Sequence, residues 1–245
     1  ALLAPEVEAL EAYLNEGGRL LAMLEPRDVS GLEGLLKGWK VEVRSDFIVD
    51  TNPLNRLLGL GPAAPMVQAV ASDHPVVKDF GGAAVMLTAR SLALAGGGQA
   101  GVDAQLLAKT ADTAWGETQL GKDGTAARDE KDNLPPLYVG IAAEKDTREA
   151  AGKRADKGRL TVFGDADWVT NKYLGMQGNQ DLALNAINWL AEQEEKISIR
   201  PKSRAGSQLF LSGEQLGKLK FFSMDILPML IVAAGLGIVL VRRQR

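Results

Sequence analysis

The chain has 245 residues and a mass of 26.1 kDa, enough for one large domain or two small ones. Its 46% hydrophobic and 24% charged residues exclude a disordered or fibrous protein, and its lack of cysteine excludes thiol nucleophiles, disulfides and Cys/His zinc clusters. The net charge is −3, or −6 over residues 1–241 once the closing arginines are set aside, a poor counterion for a nucleic-acid backbone.

Taken in chain order, the pattern begins inside a helix. In APEVEALEAYLNEGG, Pro5 suits a first turn, and Val7, Leu10 and Leu14 recur at helical spacing. Residue 1 is Ala and no strand precedes this helix, so a missing upstream part, itself containing a strand, is expected. Gly17-Gly18 ends the helix, Arg19–Leu24 reads as a buried strand, and Glu25-Pro26 stops it. A short amphipathic helix over Gly31–Trp39 and an alternating strand over Lys40–Ser45 follow. This helix–strand–helix–strand rhythm predicts an α/β fold with a parallel sheet.

The middle of the chain changes character. FIVD, MVQAVAS, AAVMLTARSLALA and AQLLAKTAD are strand-like runs that predict extended or antiparallel structure, with a loop at Gly96–Gly98. Gly121–Asn133 has no large apolar side chain and reads as a mobile surface loop. Leu137–Lys145 and Arg159–Asp165 then read as two strands joined by a charged connector. A helix with Leu182, Leu184, Ile187, Trp189 and Leu190 as its apolar positions follows, and Asn179 is its expected N-cap. ISIRPKS is expected to close the domain as a strand.

The segment Phe221–Val241 carries one ionisable group, Asp225, and as a helix spans about 30 Å, the thickness of a bilayer core. It is expected to be a membrane anchor, with Pro228 in its first turns. Arg242, Arg243 and Arg245 form the denser basic flank and belong in the cytoplasm, which places the body outside. The expected organisation is an extracytoplasmic α/β domain over 1–202, a linker over 203–220, a transmembrane helix over 221–241 and a tail over 242–245. Ala233 and Gly237 share a helical face, with Gly235 close to it. Small residues so spaced suit docking against another membrane helix.

Few residues invite chemistry. Asp165 and Asp167 stand at the carboxyl end of a strand, where open α/β sheets bind ligands, with Asn171 nearby. Two readings stay open for them: a turn and cap role, or a ligand or metal edge. His74, the sole histidine, lies in S-D-H-P and reads as a turn residue; no nucleophile accompanies it. Trp39 and Trp189 read as core, whereas Trp115 and Trp168 suit either core or a cleft.

The run EVEALEAYLNEGGRLLAMLEP resembles the helix-GG-strand unit of class I glutamine amidotransferase-like domains. RLTVFGDADWVTNKYLGMQGNQDLALNAINWLAEQEEKISIRPKS is similar to the GldG-type auxiliary component of ABC transporters, named for gliding motility. Gly164, Asp165, Asp167, Asn179, Asn185, Asn188 and Trp189 carry that likeness, together with the linker and the terminal arginine-flanked helix. The resemblance implies a flavodoxin-like or amidotransferase-like sheet with added antiparallel strands. It also implies a place in the inner (cytoplasmic) membrane, the soluble domain on the periplasmic side, beside an ABC permease and its ATPase. The amidotransferase cysteine has no counterpart here, so glutaminase chemistry is excluded. A non-catalytic accessory subunit without metal or cofactor is therefore expected. A membrane-anchored metal-dependent hydrolase and an envelope glycan-binding module are the alternatives.

Overall fold

The computed structural model describes residues 1–26, 30–70, 73–121, 123–147, 157–193 and 213–243. Helix α1 (Ala4–Asn15) begins where Pro5 needs no backbone donor, and the Glu6 carboxylate accepts from Leu3 N at 2.8 Å. It ends at Gly17, which adopts φ 94°. A Cβ at Gly18 would sit 2.4 Å from Tyr13 O, so the chain turns into β1 (Arg19–Met23) only through this Gly-Gly pair.

Eight strands form one mixed sheet. Its main path runs β1, β10 (Lys157–Phe163), β9 (Tyr138–Asp146), β7 (Val102–Thr110), β4 (Met66–Ala69) and β5 (Ala83–Val85). Only β1 and β10 are parallel; each further neighbour on the path is antiparallel. Strand β6 (Leu92–Leu94) touches β9 at Leu92–Tyr138 and carries β2 (Val41–Val43) beside it. Strands β3 (Phe47–Asp50) and β8 (Ala114–Glu117) make a separate antiparallel pair.

The chain is thus α/β with added antiparallel strands, but the parallel sheet expected from the first four elements does not form locally. Strand β2 pairs antiparallel with β6, and the parallel partner of β1 comes from the far end of the domain. A three-residue strand with Glu42 exposed at its centre buries too little to hold a place beside β1. The antiparallel expectation for the middle of the chain matches β3 to β7, and β8 is an added strand that the pattern does not mark.

Both faces of the sheet are covered. Leu160 and Val162 of β10 meet Leu14 of α1 and Leu36 and Trp39 at α2 (Glu33–Gly38). Phe163 faces the other way, into a larger core with Val76 and Val77 of α4 (Pro75–Lys78) and Leu182, Ala186 and Trp189 of α5 (Asn179–Leu190). Each large side chain buried in this way contributes about 1.5–3 kcal/mol. A short helix α3 (Pro53–Leu57) lies between β3 and β4.

Buried amides fasten the second core. Asn179 was expected to cap α5, but Gly178 holds the cap position and Asn179 is fully buried as the first helical residue. Its Oδ1 accepts from Val85 N at 2.7 Å, and its Nδ2 donates to Val85 O, Trp168 O and Tyr173 O at 2.9–3.2 Å. A tertiary site with one donor and three acceptors outcompetes the single bond of a cap. Asn185 Nδ2 likewise donates to Val76 O at 3.0 Å. The loop at 121–133 is irregular and largely exposed as expected, yet it is tied in place. Ala127 N donates to Glu117 Oε2, and Asp132 accepts from Thr118 N and Asp129 N.

The C-terminal segment departs from the expected single helix. It runs as α6 (Gly213–Phe221), a π turn over Phe222–Ile226, and α7 (Leu227–Arg243). Pro228 has no N–H for the carbonyl four residues earlier, and the wider turn just before it accommodates that gap. Among the described residues no one helix is both long and apolar enough to cross a membrane. Residues 213–220, expected as linker, are helical, because Glu, Gln, Leu and Lys there are good helix formers. The ISIRPKS strand and residues 203–212 lie outside the described residues.

Replacing Asn179 with Ala strands the Val85 N–H and C=O in the core. Thermal unfolding should show a loss of about 2–4 kcal/mol, a drop of several degrees in Tm, while Asn171→Ala on the exposed turn leaves Tm unchanged.

Candidate functional site

The parallel pairing of β1 with β10 decides what meets at its carboxyl end. Met23 and Phe163 are in register, so Glu25 and Asp165, each two residues beyond, arrive side by side. Gly164 makes the turn possible: its carbonyl accepts from Arg90 N at 2.7 Å, and a Cβ there would lie 2.1 Å from Arg90 O. The chain then folds Asp165 inward, where it is fully buried.

Asp165 Oδ2 accepts from Leu87 N at 2.5 Å and Oδ1 from Asp167 N at 2.7 Å; Glu25 Oε1 accepts from Ala166 N at 2.9 Å. Carboxylate oxygens of Glu25, Asp165 and Asp167 all lie within 4.8 Å of one another. Burial pushes the Asp165 carboxyl up to about 7; the two N–H donors oppose this, and the charges of Glu25 and Asp167 add to it. Arg90, also buried, donates to the main-chain oxygens of Glu25 and Arg44 and holds the same corner from outside the carboxylates.

Of the residues expected at a ligand edge, the structure brings Asp165 and Asp167 together and leaves Asn171 exposed, without a hydrogen bond to either among the described residues. It adds Glu25, which reads in sequence only as the end of a strand. Nothing local marks it, because its role depends on which strand pairs with β1. Three carboxylates so placed can share a proton or offer oxygen ligands to a divalent cation. Two of the Asp165 oxygens' lone pairs are already committed to the backbone, which is the turn role.

Beside this corner, Leu21, Met23, Phe163, Trp168, Leu184 and Ile187 line an apolar groove of about 260 Å³. Trp168 is thus both buried and a groove wall, Trp39 and Trp189 are core as expected, and buried Trp115 donates to Glu117 at 3.3 Å. His74 is a turn residue in the stated sense: its Nδ1 accepts from Val76 N at 3.3 Å and caps α4. Ala233, Gly235 and Gly237 all fall within α7, and Ala233 and Gly235 are exposed.

A family described as an ABC-type uncharacterized transport system matches residues 1–192. The chain belongs to this family of transport-system auxiliary components. No curated protein matches it. Among solved structures, the auxiliary component is similar to the mmIFT52 N-terminal domain, with a TM-score of 0.51 and 18% identity over 77% of this chain and 72% of that one. That likeness concerns fold alone. It is also similar to a ThuA-like protein from Bacteroides uniformis, with a TM-score of 0.42 and 12% identity over 77% of this chain and 64% of that one.

The raised Asp165 value fixes the sign of a pH effect. The folded protein holds this proton up to about pH 7, whereas the unfolded chain releases it near 3.8. Stability from this group is therefore full below pH 3.8 and lost as pH rises through 7. Thermal melts from pH 5 to 8 should show Tm falling, and the Asp165→Asn auxiliary component should show a flatter profile across that window.

Proposed function

We propose that this auxiliary component is a non-catalytic, GldG-type subunit anchored in the inner membrane by its C-terminal helix. Its α/β body stands outside the cytoplasm beside an ABC permease and ATPase. The observation that carries the reading is the apolar run from Phe221 to Val239. Phe221, Phe222, Met224, Leu227, Met229, Leu230, Ile231, Val232, Leu236 and Val239 are all exposed, on helical turns that follow one another without a break from Gly213 to Arg243. Exposed apolar surface of that extent marks a membrane or partner contact. With the π turn counted, the run from Phe222 to Val241 reaches about 30 Å, the thickness of a bilayer core. The family match supports the transport setting. The non-catalytic reading is supported by the engagement of the chemically capable groups. His74 serves as a cap and Asp165 as an acceptor for two backbone amides.

A second reading, a metal-dependent hydrolase, is favoured by one observation: Glu25 joins Asp165 and Asp167 within ligand distance. Calorimetric titration of the purified chain with Mg²⁺, Mn²⁺ and Ca²⁺ separates the two, since the accessory role requires no saturable binding.

A reporter active only outside the cytoplasm, fused near Ser203, should be active, and activity of a cytoplasm-only reporter there would reverse the orientation. Gly237→Leu should keep the chain in the membrane fraction yet reduce copurification with the permease several-fold, because Leu blocks close approach along the Ala233–Gly237 face. Undiminished copurification of that variant would assign assembly to the α/β body.

A further inference from the structure

Away from the carboxylate corner, a second cavity of about 310 Å³ opens over β7, β9 and β10, beside the end of α5. The small side chain of Ala142 leaves room on the sheet face, and Trp189 and His74, with ring centroids 4.7 Å apart, form the opposite wall. The polar groups are sorted by strand. Lys157 and Arg159 stand on β10, Asp103 and Gln105 on β7, and Asp73 enters from the loop before α4. Between them lies Glu144 of β9, which bonds Lys157 at 2.6 Å and has Arg159 Nε at 3.8 Å.

The β10 side, Glu144 included, is therefore net positive by one, and the far side carries two carboxylates. Asp103 and Glu144 also face each other in register on antiparallel strands. Like charges so opposed destabilise a sheet unless a cation lies between them. The basic residues that serve Glu144 lie on the strand away from Asp103. On the positive side, the Lys157 ammonium has three donors and spends one on Glu144, and Arg159 is held by the Trp189 carbonyl and by stacking 4.9 Å over its ring.

We propose that this cavity binds a small zwitterion. Its ammonium lies between Asp103 and Asp73, and its carboxylate is turned to Lys157 and Arg159. Strands β7 and β10 lie on either side of β9, two spacings of about 4.8 Å apart. An extended dipeptide sets its terminal charges roughly 6–7 Å apart, a span that charge-assisted hydrogen bonds of about 2.8 Å complete. A dipeptide is therefore the simplest molecule that meets both sides at once, with the Trp189–His74 wall against its side chains. The site rests on its own geometry; only its place in transport depends on the function proposed above. The binding test succeeds or fails whether or not the chain is membrane-anchored.

The test is calorimetric titration of the full chain in detergent with alanylalanine, its N-acetylated form and its C-terminal amide. The free dipeptide should saturate the site below roughly 10 mM, and each cap should weaken binding about tenfold or more, at least 1.4 kcal/mol. Asp103→Asn should abolish the penalty for N-acetylation while keeping that for amidation, and Lys157→Gln should do the reverse. Both residues are at the surface, so an unchanged thermal melt verifies the fold of each variant. Absence of saturation by the free dipeptide overturns the proposal. So does equal binding of the amide, which would mean an amine site, or of the N-acetyl form, which would mean an anion site.

Discussion

The second core depends on a set of buried polar pins between the end of β10 with α5 and the segment from Val76 to Leu87. Asp165 takes Leu87 N, Asn179 takes both backbone groups of Val85, and Asn185 takes Val76 O. That segment contains only a one-turn helix and a three-residue strand, too little regular structure to satisfy its own backbone. Without the pins, its N–H and C=O groups would be buried unpaired, at about 1–3 kcal/mol each. The pins let Val76, Val77 and Phe80 pack against α5, and they bring the loop before β6 to the carboxyl end of β10.

The same pins give the carboxylate corner its character. Asp165 is drawn into the core because its oxygens have N–H donors there, and burial then raises its proton affinity toward neutrality. Asp165 thus serves the fold as an acceptor for two backbone amides. Glu25 and Asp167 stand within 4.8 Å of it. The four-bond role of Asn179 explains in the same terms why an Asn-rich helix start belongs to this fold: no other side chain of that size both donates and accepts so widely.

At the other end of the molecule the physics is of a different kind. The C-terminal helical run offers almost no polar side chain between Phe221 and Val241, and Phe221, Phe222, Met224, Leu227, Leu230, Leu236 and Val239 among its apolar residues are exposed. The π turn next to Pro228 divides it without interrupting its helical course. The body is held together by internal amide bonds, whereas the terminus keeps apolar surface exposed.

The sequence by itself determined the α/β class, the helix-GG-strand opening, β9 and β10 as strands, α5 and its apolar stripe, and the apolar terminus. Each is written in periodicity or in turn chemistry over a short local stretch of about twenty residues or fewer. It also determined the family likeness through residues of the Gly164–Trp189 stretch. Only the tertiary structure decided that β1 pairs with β10 rather than β2, because strand partners far apart in the chain leave no local mark. From that pairing followed the meeting of Glu25 with Asp165. From long-range bonding followed the conversion of Asn179 from a cap into a pin and the sorting of charge across β7, β9 and β10. Local pattern specifies which residues are helical, extended or buried; which of them touch is settled by burial and hydrogen-bond satisfaction of the whole domain.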